Sequence, residues 1–149
     1  MSNTKKKKNY TYNGFGFPII LEEASFRKVR GKWLLKFDVK EVADIVFRSL
    51  PHKPAGLTGA EIRFARTHLD LSKRKFAEHL NISHTAVNKW ESTEQHRANI
   101  DPLTEVALRA FIKLKSEDVS DFKDFYRTIM DEAKNFTKKD DGEPLKIAI

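Results

Sequence analysis

Apolar residues recur with helical spacing in three parts of the chain. In each part they follow i, i+3, i+4, i+7, i+8 and i+11, which places all six on one face of a helix. The first stripe, beginning one residue after the potential capping residue Asp38, consists of Val39, Val42, Ala43, Val46, Phe47 and Leu50. The second, opened by Asp101-Pro102, consists of Leu103, Val106, Ala107, Ala110, Phe111 and Leu114. The third, which follows Ser120, consists of Phe122, Phe125, Tyr126, Ile129, Met130 and Ala133.

Strand-like patterns lie near the two ends of the sequence. Residues 17–21 are apolar and predict a short strand, which Pro18 places at the edge of a sheet. Segments 25–30 and 32–37 flank Gly31 and predict a hairpin. Residues 145–149 alternate between apolar and other residues and could extend a sheet of this chain or of a partner. Residues 1–13 are rich in lysine and poor in apolar residues, so we predict a disordered basic arm. The Pro- and Gly-containing residues 51–56 indicate a linker.

Residues 58–91 contain three consecutive helix starts. Thr58 and Glu61 have the spacing of a capping box, and Ser72 and Ser83 can each cap a further helix. Between the second and third helices, Asn81 tolerates the left-handed backbone that a tight turn often requires. The side chains predicted to face the core of this helix-turn-helix are Ile62, Ala65, Leu69, Phe76, Ala77, Leu80, Ile82, Val87 and Trp90.

The outer face of the third helix is polar. His84 and Asn88, like Thr85 and Lys89, are four residues apart, so all four project from one side. Such a helix suits the major groove of DNA, where Asn pairs with adenine, Lys with guanine and Thr with thymine. An ordinary solvated helix face would have the same residue types, so the helix alone leaves both interpretations open.

The whole segment 71–91 resembles the Cro/cI-type (XRE) family of helix-turn-helix proteins, with Phe76-Ala77 inside the second helix and residues 87–91, VNKWE, closing the third. The resemblance implies base contacts from Ser83, His84, Thr85 and Lys89 with Asn88 as a close neighbour, and phosphate contacts from Lys73 and Arg74. It also implies a structural ion pair between Arg66 and Glu91, and a helix after residue 101 that closes the core and helps to form a dimer. Arg97, in the loop after Glu91, is a further candidate for a phosphate contact.

A narrower resemblance lies upstream. Residues 56–64, GLTGAEIRF, are similar to the start of the helix-turn-helix in MqsA-type antitoxin regulators, which place a small β-containing domain first. In that family cysteine-bound zinc typically holds the small domain together. This chain has no cysteine, so the metal role does not transfer. The small domain must instead be held by apolar residues, namely Phe17, Ile19, Leu21, Trp33, Leu35, Phe37, Val42, Val46 and Phe47.

Composition agrees with a partner that is a polyanion. The net charge of the 149 residues is +7, and basic residues dominate up to residue 116 while acidic ones dominate after it. The absence of cysteine, of a secretory leader and of an apolar membrane span predicts a cytoplasmic protein. The histidines His52, His68, His79, His84 and His96 form no metal-ligand pattern, and the sequence has no glycine-rich nucleotide-binding motif. We therefore expect no cofactor, no metal and no enzymatic activity.

These patterns predict a mainly α protein built on a five-helix Cro/cI-like domain. The predicted parts are the arm 1–13, a β-hairpin-plus-helix unit 14–50, the linker 51–56, the DNA-binding domain 57–116, and an acidic helix and tail 117–149. The predicted function is sequence-specific binding of double-stranded DNA by a dimeric transcriptional repressor that reads the major groove with helix 83–91. The alternative is an antitoxin-like protein that neutralises a partner protein through residues 14–50 or 117–149 and represses its own promoter.

Overall fold

The computed structural model describes residues 3–116, 119–138 and 142–149. These residues form six α-helices and one four-stranded sheet. The chain divides into two compact units, unit 1 (Met1–Val46 with Pro144–Ile149) and unit 2 (Phe47–Glu143). The mainly α fold class predicted from the sequence is therefore wrong, since the structure is mixed α and β. None of the helices in the described ranges combines the length and apolar character needed to cross a membrane.

Unit 1 contains the sheet. Strands β1 (Thr4–Tyr12), β2 (Ile19–Val29) and β3 (Lys32–Lys36) pair in antiparallel order. The predicted hairpin is confirmed, with Arg30 and Gly31 at its turn in positive-φ conformations of 51° and 79°. The strand β4 (Leu145–Ile147) pairs in parallel with the first residues of β2, so the strand-like tail joins a sheet of its own chain.

The basic arm predicted to be disordered is strand β1. It forms because β2 is a single strand of 11 residues that offers a long partner for pairing. Aromatic rings also pack against the strand: Tyr10 and Phe26 meet edge to face at 5.1 Å, and the Lys5 ammonium lies 4.4 Å from the centre of the Trp33 ring. A lysine-rich segment is thus ordered through contacts that its own composition does not indicate.

Helix α1 (Val39–Ser49) follows the sheet. Its start is capped as predicted, because the backbone N–H groups of Lys40 and Glu41 donate to the Asp38 carboxylate at 3.0 and 3.3 Å. Trp33, expected in the core, is 36% exposed. The buried apolar side chains of unit 1 are Phe17, Ile19, Leu21, Ala24, Phe26, Val42, Val46, Leu145 and Ile147.

Unit 2 contains the last residues of α1 and five further α-helices. They are α2 (Gly59–His68), α3 (Lys73–Leu80), α4 (His84–Glu91), α5 (Pro102–Lys115) and α6 (Phe122–Glu132). The predicted helix starts at 58, 72, 83 and 101 are confirmed, each with a side chain that accepts a hydrogen bond from the N3 backbone N–H. Asn81 ends α3 in the left-handed conformation, at φ 58°. Ser120 does not cap α6, whose N-cap residue is Asp121.

The segment predicted to be a linker, residues 51–56, is instead part of the core of unit 2. The Arg109 guanidinium donates to the backbone carbonyls of Pro51, Lys53 and Ala55. It also lies 3.8 Å from the centre of the Phe136 ring. The proline and glycine residues suggested an exposed linker, but a buried arginine satisfies the carbonyls that a solvated linker would leave to water.

Helix α6 packs on α5 through its aromatic stripe. Phe125, Ile129 and Phe136 form one buried cluster with Val106 of α5. The division predicted at residue 117 therefore does not separate two bodies, because α5 and α6 belong to the same unit.

Helix α5 faces the core with a different set of residues from the predicted stripe. Leu103 is 70% exposed and Leu114 is 55% exposed, although both were expected inside. The buried residues are Glu105, Val106, Leu108, Arg109, Ile112 and Lys113. The helix is rotated from its apolar stripe because its charged residues find partners in the interior.

Candidate nucleic-acid interface

Helices α3 and α4 are joined by a tight turn and held by a buried seam. Phe76 and Val87 are fully buried, and Ala77 is 2% exposed. The Ile82 backbone N–H donates to the carbonyl of Ala77 at 3.0 Å, which closes the turn after Asn81. The seam fixes which side of α4 points inward, and Ile82 itself is half-buried.

The opposite side of α4 is exposed and polar. The five side chains predicted to reach base edges are all exposed, namely Ser83, His84, Thr85, Asn88 and Lys89. The Ser83 hydroxyl oxygen accepts a hydrogen bond from the Ala86 N–H at 3.2 Å, so its own proton remains free to be donated. Amide, ammonium and hydroxyl groups on one short helix can hydrogen-bond the edges of bases in a major groove.

The predicted phosphate-binding residues fall into two places. Lys73 and Arg74 are exposed in the first turn of α3. Arg97 is half-buried, and its backbone pairs with that of Thr58 beside the start of α2. The structure therefore groups the first two with the helix-turn-helix but anchors Arg97 next to α2.

The predicted ion pair between Arg66 and Glu91 is present, with two hydrogen bonds. The Arg66 Nε and Nη2 atoms lie 2.7 and 3.0 Å from the two carboxylate oxygens, and Glu91 is 1% exposed. Arg66 Nη1 also donates to the carbonyl of Leu71 at 2.9 Å. One guanidinium thus ties α2 to the end of α4 and to the loop before α3.

A second arginine, Arg63, which no sequence pattern singled out, reinforces this contact. Arg63 Nε lies 3.3 Å from the Glu91 carboxylate, and its Nη atoms bind Glu94 at 3.1 and 3.2 Å. The hydrogen bond from Arg63 lowers the pKa of the exposed Glu94 carboxyl. The available signal was its position one helical turn before Arg66, on the same side of α2.

The start of α2 closely approaches the end of α4. A Cβ atom placed on Gly59 would lie 2.4 Å from the carbonyl oxygen of Trp90, so a side chain there requires the helices to move. The Gly59 N–H donates to the Thr93 hydroxyl at 3.0 Å. Glycine at this position therefore sets the distance between α2 and α4.

A buried charge network holds the segment that leads into α2. Lys53 Nζ lies 2.8 Å from Glu61 Oε1, and the side chains of both residues are 4% exposed. Arg109 donates to Glu105 Oε2 through Nε at 3.0 Å and Nη2 at 2.7 Å. Burial raises the pKa of the Glu105 carboxyl, and the charge of Arg109 opposes that shift. These pairs fix the start of the helix-turn-helix.

A cavity of about 300 Å³ borders α4 and is lined by Ala86, Lys89, Trp90 and Asn99. Asn99 is exposed and was not among the predicted site residues. It lies 10 positions after Lys89 in the chain and could be found only from the folded loop. Its amide can donate and accept hydrogen bonds beside the Lys89 ammonium.

The outer face of α4 has no exposed carboxylate. Glu91, the one acidic residue in α4, is buried and paired with Arg63 and Arg66. The exposed groups of the helix are therefore neutral or positive, which suits an anionic partner.

Comparison with known protein families, with curated proteins and with solved structures finds no match to this chain in any of the three.

Proposed function

We propose that the protein is a transcriptional regulator that binds specific double-stranded DNA through α3 and α4. The observation that carries the proposal is the composition of the exposed side of α4. That side presents Ser83, His84, Thr85, Asn88 and Lys89, while Glu91 is removed from it by burial. A short polar helix without exposed negative charge, supported by a buried seam, meets the requirements for reading a major groove.

The roles within the proposed complex follow from position and chemistry. Asn88 and Lys89 can make bidentate contacts to adenine and guanine, and Thr85 can contact a thymine methyl group. Lys73 and Arg74 at the start of α3 hold phosphates, which sets the orientation of α4 but carries no sequence information.

Two copies of the chain are proposed to bind together. Leu103 and Leu114 leave an apolar strip on the outside of α5, and Ala107 between them is also exposed. Helix-turn-helix dimers bind half-sites about one helical turn, roughly 34 Å, apart, so we expect the selected motif to contain two such half-sites.

Selection from a random pool of duplexes tests the proposal. We expect the full-length protein to enrich one motif, and a gel-shift titration to measure its preference over a shuffled duplex of the same composition. Asn88→Ala removes a neutral, exposed side chain, so we expect it to reduce that preference by about 1–3 kcal/mol. Lys73→Ala is expected to weaken both duplexes similarly and to flatten the salt dependence.

The matched control is Lys123→Ala, at an exposed position of α6. It removes a charge from the same unit but from another helix, and we expect it to leave the preference unchanged. Enrichment of no motif, or a preference that survives Asn88→Ala and Lys89→Ala together, would contradict the assignment of α4 to the groove.

A further inference from the structure

The pairing register of β1, β2 and β3 brings together cations that lie far apart in the sequence. Ser25 on the central strand pairs with Lys6 on one side and with Lys36 on the other. Arg27 points to the same face as Ser25, because side chains alternate along a strand. By the same alternation, Lys8 on β1 and Lys32 on β3 also lie on this face. The cations of this basic sheet face are Lys6, Lys8, Arg27, Lys32 and Lys36, all exposed.

The charge on the basic sheet face is largely uncompensated. Glu23 lies there, with its carboxylate 3.0 Å from the Lys6 ammonium. Among the described residues, 3–116, 119–138 and 142–149, no carboxylate oxygen lies within 4.0 Å of the cationic groups of Arg27, Lys32 or Lys36. Lys36 is a diagonal cross-strand neighbour of Arg27, at a spacing of about 7–8 Å, where like charges repel. An anion bound over this face would relieve the repulsion.

Protection of sheet edges explains part of this pattern. Lysines on outer strands discourage pairing with other chains, which accounts for Lys6 and Lys36. It does not account for Arg27 on the central strand. Edge protection also works with charges of either sign, and a carboxylate in place of Lys36 would have avoided the repulsion with Arg27. Five cations against the one carboxylate of Glu23 across three strands therefore need a further reason.

We propose that the basic sheet face binds the phosphate backbone of duplex DNA, as a contact independent of base sequence. The inference rests on the proposed function, because it gives α4 and the sheet the same ligand. Duplex DNA carries one negative charge per about 1.7 Å of its axis. The cations extend about 10 Å across the strands and about 13 Å along β3, enough to meet several phosphates.

The position of the aromatic rings favours a duplex over a single strand. Proteins that bind single strands stack bases on exposed aromatic side chains. Phe26 and Trp33 alternate with Arg27 and Leu34 along their strands, so their rings belong to the other face of the sheet. The exposed apolar residue on the basic sheet face is Leu34, which offers no ring for stacking.

The salt dependence of DNA binding tests this contact in the full-length protein. Arg27→Gln/Lys32→Gln/Lys36→Gln removes three charges from the basic sheet face. Lys123→Gln/Lys134→Gln/Lys138→Gln is the matched control, because it removes three charges from exposed positions of unit 2. Fluorescence anisotropy with the selected duplex and its shuffled counterpart gives log K against log salt concentration. We expect the sheet variant to flatten this slope by about 2.7 on both duplexes, with the preference between them unchanged. The control is expected to keep the slope.

Each other outcome has a definite meaning. A slope that is the same in the sheet variant and the control overturns the proposal, and leaves an acidic protein as the occupant to test. Tighter binding of single-stranded DNA that the sheet variant abolishes also overturns the choice of duplex. The preference of the wild-type protein for the selected duplex separates the two proposals. If the wild type has no such preference, and the sheet variant still flattens the slope, the assignment of α4 to the groove fails and the sheet contact stands. If wild type binds neither duplex, both fail.

Discussion

Helices α4 and α5 belong to the same unit, but they differ in which polar and apolar residues they leave exposed. α4 buries Val87 and Trp90 together with one charged residue, the paired Glu91, and exposes its uncharged polar and basic side chains. α5 buries Glu105 and Arg109 and leaves Leu103 in solvent. The difference shows that burial in this protein follows the presence of partners as well as polarity. A charged group lies inside where an opposite charge and carbonyl oxygens already surround it.

The partners explain which charges remain available for a ligand. The guanidinium of Arg109 offers five N–H donors, and Glu105 with three backbone carbonyls occupies its hydrogen-bonding groups. Lys89 and Asn88 have no such surroundings and stay exposed. The buried charges of α5 are therefore structural, and the exposed groups of α4 are the ones that can bind another molecule.

Removing the charge from Arg109 should produce the largest loss of stability. Arg109→Met leaves the buried Glu105 carboxylate without its countercharge and three carbonyls without a donor. We expect the free energy of unfolding, measured by urea denaturation, to fall by about 3–5 kcal/mol. Glu105→Gln/Arg109→Met should recover part of the loss, because it removes the unpaired charge. A loss below about 1 kcal/mol would contradict the role given to the network.

Glu91→Gln tests the link between α2 and α4. The substitution keeps the shape of the side chain but removes the charge that receives Arg66 and Arg63, so we expect a loss of about 1.5–3 kcal/mol in the same assay. Glu94→Gln is the matched control, since Glu94 is exposed and its ion pair among the described residues is with Arg63. Equal effects of the two substitutions would show that burial of Glu91 adds nothing to the contact.

The exposed strip on α5 should matter for association and not for folding. Leu103→Glu is expected to raise the dimer dissociation constant at least tenfold, since covering one leucine contributes about 1.5–3 kcal/mol. Sedimentation equilibrium measures the dissociation constant, and the thermal unfolding midpoint of the monomer should not change. Leu108→Ala, at a buried position on the same helix, should do the reverse and lower the midpoint. A wild-type protein that stays monomeric at all concentrations would refute the dimer.

The smallest expected effect is a pH dependence at the start of α5. Hydrogen bonds from Thr104 lower the pKa of the Asp101 carboxyl. A carboxyl with a lowered pKa in the folded state stabilises the fold above its unfolded pKa, about 3.9, and this contribution is lost as the pH falls through the folded value. The difference in melting temperature between wild type and Asp101→Asn should therefore shrink on acidification. A constant difference would contradict this assignment.

Local signals in the sequence were sufficient to predict α2, α3 and α4. Thr58, Ser72, Ser83 and Asn81 determine where these helices begin and end through contacts within a few residues. The outer face of α4 followed from the same short spacing. Each of these features depends on neighbours in the chain, which a sequence displays directly.

Features that depend on distant partners were missed. β1 is ordered by pairing with β2, and nothing within residues 4–12 indicates that partner. The rotation of α5 depends on carbonyls more than 50 positions earlier, at residues 51–55. The apolar stripe of α5 was correctly identified as a stripe, but periodicity alone cannot show that Glu105 and Arg109 neutralise each other inside.

The parallel pairing of β4 with β2 has a consequence for how the protein is made. Leu145 and Ile147 complete a sheet whose other strands end at Lys36, so all of unit 2 is synthesised between the first and last parts of unit 1. Domains usually fold in the order in which they leave the ribosome. Here the sheet of unit 1 can be completed only after the residues of unit 2 have been translated. Unit 1, which begins first in the sequence, is therefore the last of the two units to be synthesised in full.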